Sequence, residues 1–166
     1  MSVSDLSTST QNYLKAIWGL KEWSSEPVTA TLIAKQLGLK LSSVSDAVRK
    51  MAKQGLVSHT PYGSVELTEL GRQYALVMVR RHRLLESFLV QALGYTWDEV
   101  HNEAEDLEHA VSDMLIERVD KFLDYPTRDP HGDPIPTVDG QITIPSAHRL
   151  TDSSAQSQVT VERISD

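Results

Sequence analysis

The sequence contains no cysteine. That excludes a disulfide framework and a thiolate nucleophile or metal ligand. Any transition metal must then rest on imidazole, carboxylate, amide or backbone oxygen. No apolar run approaches the ~18 residues that a membrane span needs, so a membrane partner is not expected. The N-terminus MSVSDLSTST lacks a basic stretch followed by an apolar one, and the cytoplasm is the expected compartment. There is no glycine-rich phosphate loop, no nucleophile motif and no internal repeat. What remains is a chain of 166 residues with 40% hydrophobic content. It suits a soluble globular protein with one good core, or two small domains sharing one.

Positive charge is also short overall, with a net charge of −7. The average conceals a division. Residues 1–83 hold eleven Lys/Arg and six Asp/Glu, for +5. Residues 84–166 hold five and seventeen, for −12. A basic first half can attract phosphate locally whatever the total.

The order of elements in that first half is informative. TQNYLKAIWGLKEW, residues 10–23, spaces Tyr13, Leu14, Ile17, Trp18 and Leu20 as one face of a helix, with Ser9 or Thr10 as its cap. VTATLIAKQLG predicts a second helix, capped by Thr29, buried through Leu32, Ile33 and Leu37, and ended by Gly38. LSSVSDAVRKMAKQG predicts a third, starting at Ser42 or Ser43, with Val44, Val48 and Met51 inward. GLVSHTPYGSVELT reads as strand, turn, strand, with Pro61 and Gly63 in the turn. This is the layout of a winged helix-turn-helix.

Thr68 caps a long helix running to about Leu93, roughly 35–40 Å at ~1.5 Å per residue. Its apolar positions exceed what a small wing domain can cover. T-W-D-E at 96–99 is a capping box that opens a further helix, expected to run through about Leu123. DYPTRDPHGDPIP carries four prolines and ends regular structure. SAHRLTDSSAQSQ reads as a linker, and QVTVERISD as a β-strand with no partner in the chain. The expected fold is mainly α, an N-terminal winged helix-turn-helix (1–73) followed by a helical domain (74–140). Residues 141–166 would be a linker and a first strand.

The chemistry is concentrated in HNEAEDLEH, residues 101–109, with two histidines and four acidic residues in nine positions. On a continuous helix His101, Glu105, Glu108 and His109 share an arc of about 100°, beside the apolar arc of Val100, Ala104, Leu107 and Val111. His82 and Glu86 on the long helix share a face four residues apart. Two antiparallel helices would bring these clusters together, and a cation would hold them there. Carboxylate with imidazole and no sulfur suits Mn²⁺, Fe²⁺ or Zn²⁺, with higher coordination favouring Mn²⁺ or Fe²⁺.

These segments resemble the metal-dependent repressors typified by the diphtheria toxin repressor and the manganese transport regulators. The marks are TQNYLKAIW, SSVSDAVRKMAKQGLV, RRHRLLESFL, VHNEAEDLEH and HGDPIP, covering about residues 8–137. The resemblance implies a cytoplasmic homodimer that binds double-stranded operator DNA and is neither an enzyme nor a receptor for a small-molecule substrate. It implies two metal sites per subunit: Glu105, Glu108, His109 and Asn12 in the primary one, His82, Glu86 and His101 in the ancillary one. Glu105 stands where iron-responsive members tend to have Cys, which points to Mn²⁺, with Fe²⁺ the alternative. Asn12 replaces the Asp or Met of the family, and its amide oxygen can still ligate a hard cation. Lys15 stands where some manganese members have a second Glu, which favours two separated sites over a closely spaced pair. The expected DNA contacts are Lys40, Ser42, Ser43, Asp46, Arg49 and Lys50, with Tyr62 at the wing tip. QVTVERISD resembles the first strand of the family's SH3-like domain. Two rival readings are a metal enzyme, which would need a substrate pocket over the metal, and a winged-helix regulator of an organic ligand, which would be insensitive to chelator.

Overall fold

The computed structural model describes residues 2–60 and 63–164. It divides into two compact units, Met1–Val79 and Arg80–Asp166.

The first unit follows a short 3-10 turn with helices α1 (Thr8–Glu22), α2 (Ala30–Leu37) and α3 (Leu41–Lys53), then strands β1 (Val57–His59) and β2 (Val65–Leu67). The strands pair antiparallel, with Val57 opposite Leu67 and His59 opposite Val65. Leu14, Ile17, Val28, Ile33, Val44, Val48, Met51, Leu56 and Val65 fill its core. The cap of α1 is Ser7, whose hydroxyl accepts from the Thr10 amide, so the helix starts earlier than a Ser9 or Thr10 cap would give. Thr29 caps α2, and Gly38 ends it in the left-handed region at φ 64°. α3 begins at Leu41 rather than at either serine, and the side chain of Lys40 in the cap position makes no capping hydrogen bond. The short turn after Gly38 sets that start, leaving Ser42 and Ser43 exposed in the first turn.

Helix α4 (Glu69–Leu93) begins on Thr68, whose hydroxyl accepts from the Gly71 amide at 3.1 Å. Its length has a simple cause. Tyr74, Ala75 and Met78 belong to the first core, whereas Leu84, Leu85 and Leu89 belong to the second. In the second unit α4 packs with α5 (Trp97–Leu107) and α6 (Asp113–Phe122) through Val100, Ala104, Ile116 and Val119, and Ile135 from the loop after α6 joins the same core. The Thr96 amide donates to Glu99 Oε2 at 3.1 Å, the reach-back half of the expected capping box.

The single helix expected from 96 to 123 is in fact two. Glu108 is the C-cap of α5, and Ser112 restarts the chain by accepting the Leu115 amide at 3.2 Å. A serine followed by Asp113 in the first turn is a strong N-terminal signal. Buried Arg81 holds the joint from α4, donating to Glu108 O (3.4 Å) and pairing with Asp113 (2.7 Å).

The tail also differs from expectation. Residues 158–164 form no strand, yet their backbone finds partners. The Ile164 amide donates to His131 O at 3.0 Å, within the same unit. A loop carbonyl therefore serves the tail's backbone where a sheet neighbour was missing.

Candidate metal centre

Helix periodicity puts His82 and Glu86 one turn apart on α4, and both side chains are buried. His101, Glu105 and Glu108 come from α5 and its C-cap. The structure brings all five together. His82 Nε2 lies 3.0 Å from Glu86 Oε1, and His101 Nδ1 lies 3.5 Å from the same oxygen. On its other side His82 Nδ1 lies 2.6 Å from Glu108 Oε2 and 3.9 Å from Glu105 Oε1. His101 Nε2 lies 3.8 Å from Glu105 Oε1. Potential ligand atoms of His82, Glu86 and His101 fall within 4.8 Å of one another, as do those of His82, Glu105 and Glu108.

His109 has left the helix on which the wheel placed it. It lies in the turn after α5, with Nε2 3.5 Å from Glu108 Oε1. Asn12 is on α1 in the first unit. Its Oδ1 is buried and accepts no hydrogen bond among the described residues.

A third group was not read from the sequence. Asp129 and His131, both buried, join Glu86 with ligand atoms within 4.8 Å. His131 Nδ1 lies 3.7 Å from Glu86 Oε2. Asp129 Oδ1 accepts the amides of His131 and Asp133, both at 2.9 Å, and so shapes the loop that carries His131. The only available signal was HGDPIP itself, a histidine between aspartates in a proline-rich loop, where no periodicity says which way a side chain points.

The electrostatics are those of buried carboxylates set against imidazoles. Glu86 is 1% exposed and Glu108 0%. Burial works to raise the Glu86 carboxyl, but the imidazoles of His101 and His82, with the charge of His131 beside it, outweigh burial and bring it to about 2. Burial, then the charges of Glu86 and Asp133, push Asp129 up to about 6 against its backbone hydrogen bond and Arg83. Glu86 Oε1 has two imidazole nitrogens nearby, His82 Nε2 at 3.0 Å and His101 Nδ1 at 3.5 Å. Carboxylate oxygens and imidazole nitrogens converging at these distances fit a divalent cation on oxygen and nitrogen donors.

On α3, Val44, Val48 and Met51 are buried, while Lys40, Ser42, Ser43, Asp46, Arg49 and Lys50 are exposed along the other side. Arg49 pairs with Asp46 one turn away. Tyr62 lies outside the described residues.

A winged helix joined to a helical unit with a buried His/carboxylate cluster defines a class, the metal-sensing DNA-binding regulators. Comparison with known proteins narrows it. Residues 5–65 match the model of the iron dependent repressor N-terminal DNA binding domain, and residues 68–137 that of the iron dependent repressor metal binding and dimerisation domain. The chain belongs to this family of metal-dependent transcriptional repressors. It is 39% identical over 134 residues to the iron-dependent repressor IdeR of Mycobacterium tuberculosis, covering 81% of this chain and 58% of that protein. It thus spans less than two thirds of that relative. It is 34% identical to an HTH-type transcriptional regulator of Methanocaldococcus jannaschii, covering 72% of this chain and 95% of that one. Among solved structures, a manganese-dependent transcriptional repressor in complex with manganese matches with a TM-score of 0.90 and 55% identity, over 95% of this chain and 72% of the other. No helix among the described residues is long and apolar enough to cross a membrane.

Proposed function

We propose that the protein is a manganese-dependent transcriptional repressor that binds operator DNA as a cytoplasmic homodimer and controls genes of metal-ion uptake. The observation that carries this is the convergence of buried His82, Glu86 and Glu108 with the partly exposed His101 and Glu105 in one sulfur-free set of donors. Hard oxygen donors at this density suit Mn²⁺, and a manganese-dependent repressor is a near structural neighbour. Fe²⁺ is the second reading, favoured by the iron-dependent repressors among the relatives.

We assign DNA binding to residues 1–73, dimerisation and metal binding to 74–140, and a linker with the beginning of a further domain to 141–166. Glu105, Glu108 and His109 would hold one metal ion. His82, Glu86 and His101 would hold a second, with His131 and Asp129 on the far side of Glu86. Asn12, on α1 of the first unit, is the further ligand that the family resemblance implies. A bound divalent cation supplies positive charge where Glu86, Glu105 and Glu108 otherwise repel one another. These carboxylates then favour the arrangement in which DNA binds, so metal and operator reinforce each other reciprocally. The exposed side of α3 enters the major groove, one helix per subunit. Lys40, Arg49 and Lys50 neutralise phosphate, Ser42 and Ser43 position the backbone, and Asp46 accepts from a cytosine amine. Tyr62 touches the backbone from the wing.

The test is an anaerobic titration of selected duplexes with Mn²⁺, Fe²⁺, Zn²⁺ and chelator in parallel. Binding with Mn²⁺ at concentrations where Fe²⁺ fails is expected. Binding that survives chelator would sink the reading and favour a regulator of an organic ligand.

A further inference from the structure

The tail touches the loop that carries His131 at every residue from 162 to 164. The Ile164 amide donates to His131 O at 3.0 Å. Arg163 Nη1 lies 3.2 Å from Asp133 Oδ1. Glu162 receives Arg128 twice, through its carboxylate (2.9 Å) and its carbonyl (3.2 Å), and the same guanidinium reaches Gly132 O at 3.3 Å. Gly132 makes this closeness feasible. Its φ is +90°, and a Cβ there would fall 2.2 Å from Glu162 O. The loop so held presents Asp129 and His131 to Glu86.

We propose that Glu162–Ile164 is a strap that positions His131 and Asp129 on Glu86, so that divalent-cation binding at the Glu86 cluster and docking of the strap are one coupled event. This rests on the metal reading above and adds its regulation by the tail. Arg163 and Ile164 are positioning residues, since neither supplies a candidate ligand to the cluster. Coupling is reciprocal: what loosens the strap weakens the cation, and the cation tightens the strap.

The experiment uses the whole chain. Mn²⁺ binding is measured by calorimetry for the unsubstituted protein, Arg163→Ala and Ile164→Pro. Hydrogen exchange at the Ile164 amide is followed with and without Mn²⁺, in the unsubstituted protein and in Glu86→Gln. Each strap variant should weaken one class of Mn²⁺ site about tenfold, the usual scale for outer-shell support, and spare the other. Mn²⁺ should slow exchange at Ile164 in the unsubstituted protein and leave it unchanged in Glu86→Gln. Unaltered affinities, equal weakening of both classes, or exchange at Ile164 indifferent to Mn²⁺ would each overturn the strap while leaving the metal centre standing. Failure of the unsubstituted chain to bind Mn²⁺ at all would remove both.

Discussion

Arg49 with Asp46, and Arg80 with Asp120, pair the same two side chains in opposite surroundings. The first pair sits on α3 with side chains 69% and 72% exposed. The second links α4 to α6 in the other unit at 12% and 11%. Water and salt screen the exposed pair, so it contributes little to stability and its arginine can turn to phosphate. The buried pair has exchanged hydration for a fixed partner, and Arg80 also donates to Pro136 O at 2.7 Å. The two units follow the same division. One displays its charges along the exposed side of a regular helix; the other gathers them inward around a few shared points.

The contrast can be broken most sharply at Arg80. Arg80→Ala strands the Asp120 carboxylate and should cost about 3–5 kcal/mol by urea denaturation without metal or DNA. A loss below 1 kcal/mol would mean that the buried pair behaves like a surface one. His109→Ala should lower Mn²⁺-stimulated operator binding by more than about tenfold while the dimer persists, read by anaerobic fluorescence anisotropy and sedimentation. A normal metal response would remove His109 from the ligand set. Ser112→Ala removes the cap that restarts α6 and should cost about 1 kcal/mol in thermal unfolding. No change would mean that Arg81 alone holds the α5–α6 joint. Arg49→Ala should alter stability by less than about 0.5 kcal/mol. It should weaken operator binding similarly across sequences and lower the salt slope by about one. Selective loss at one base position would make Arg49 a reader of sequence.

The legible parts of the molecule were those with a repeat distance. The 3.6-residue period gave α1 to α4, and the same period put His82 with Glu86 and His101 with Glu105 on common faces. The order of helices, with turn residues around the wing, gave the first unit. The break at 108–112 escaped because the apolar positions continue in phase to Val111, and the Ser112 cap that ends the run is a local bond competing with a longer pattern. His131 and Asp129 escaped because a proline-rich loop has no period. The tail alternates like a strand, but its hydrogen bond and ion pairs go to the loop at 128–133 rather than to a neighbouring strand. Residue types thus marked the cluster, while the bends and the loop needed tertiary packing.

His82 touches Glu108 with one ring nitrogen and Glu86 with the other. A neutral imidazole has one proton and one lone pair. Glu86 and Glu108 as carboxylates can both only accept, so a neutral ring donates to one of them and turns its lone pair to the other. A second ring proton, or a cation on the lone pair, satisfies both sides at once. A single proton position thus acts as the arbiter between the two halves of the centre, and nitrogen chemical shifts of this one ring would report which half holds it.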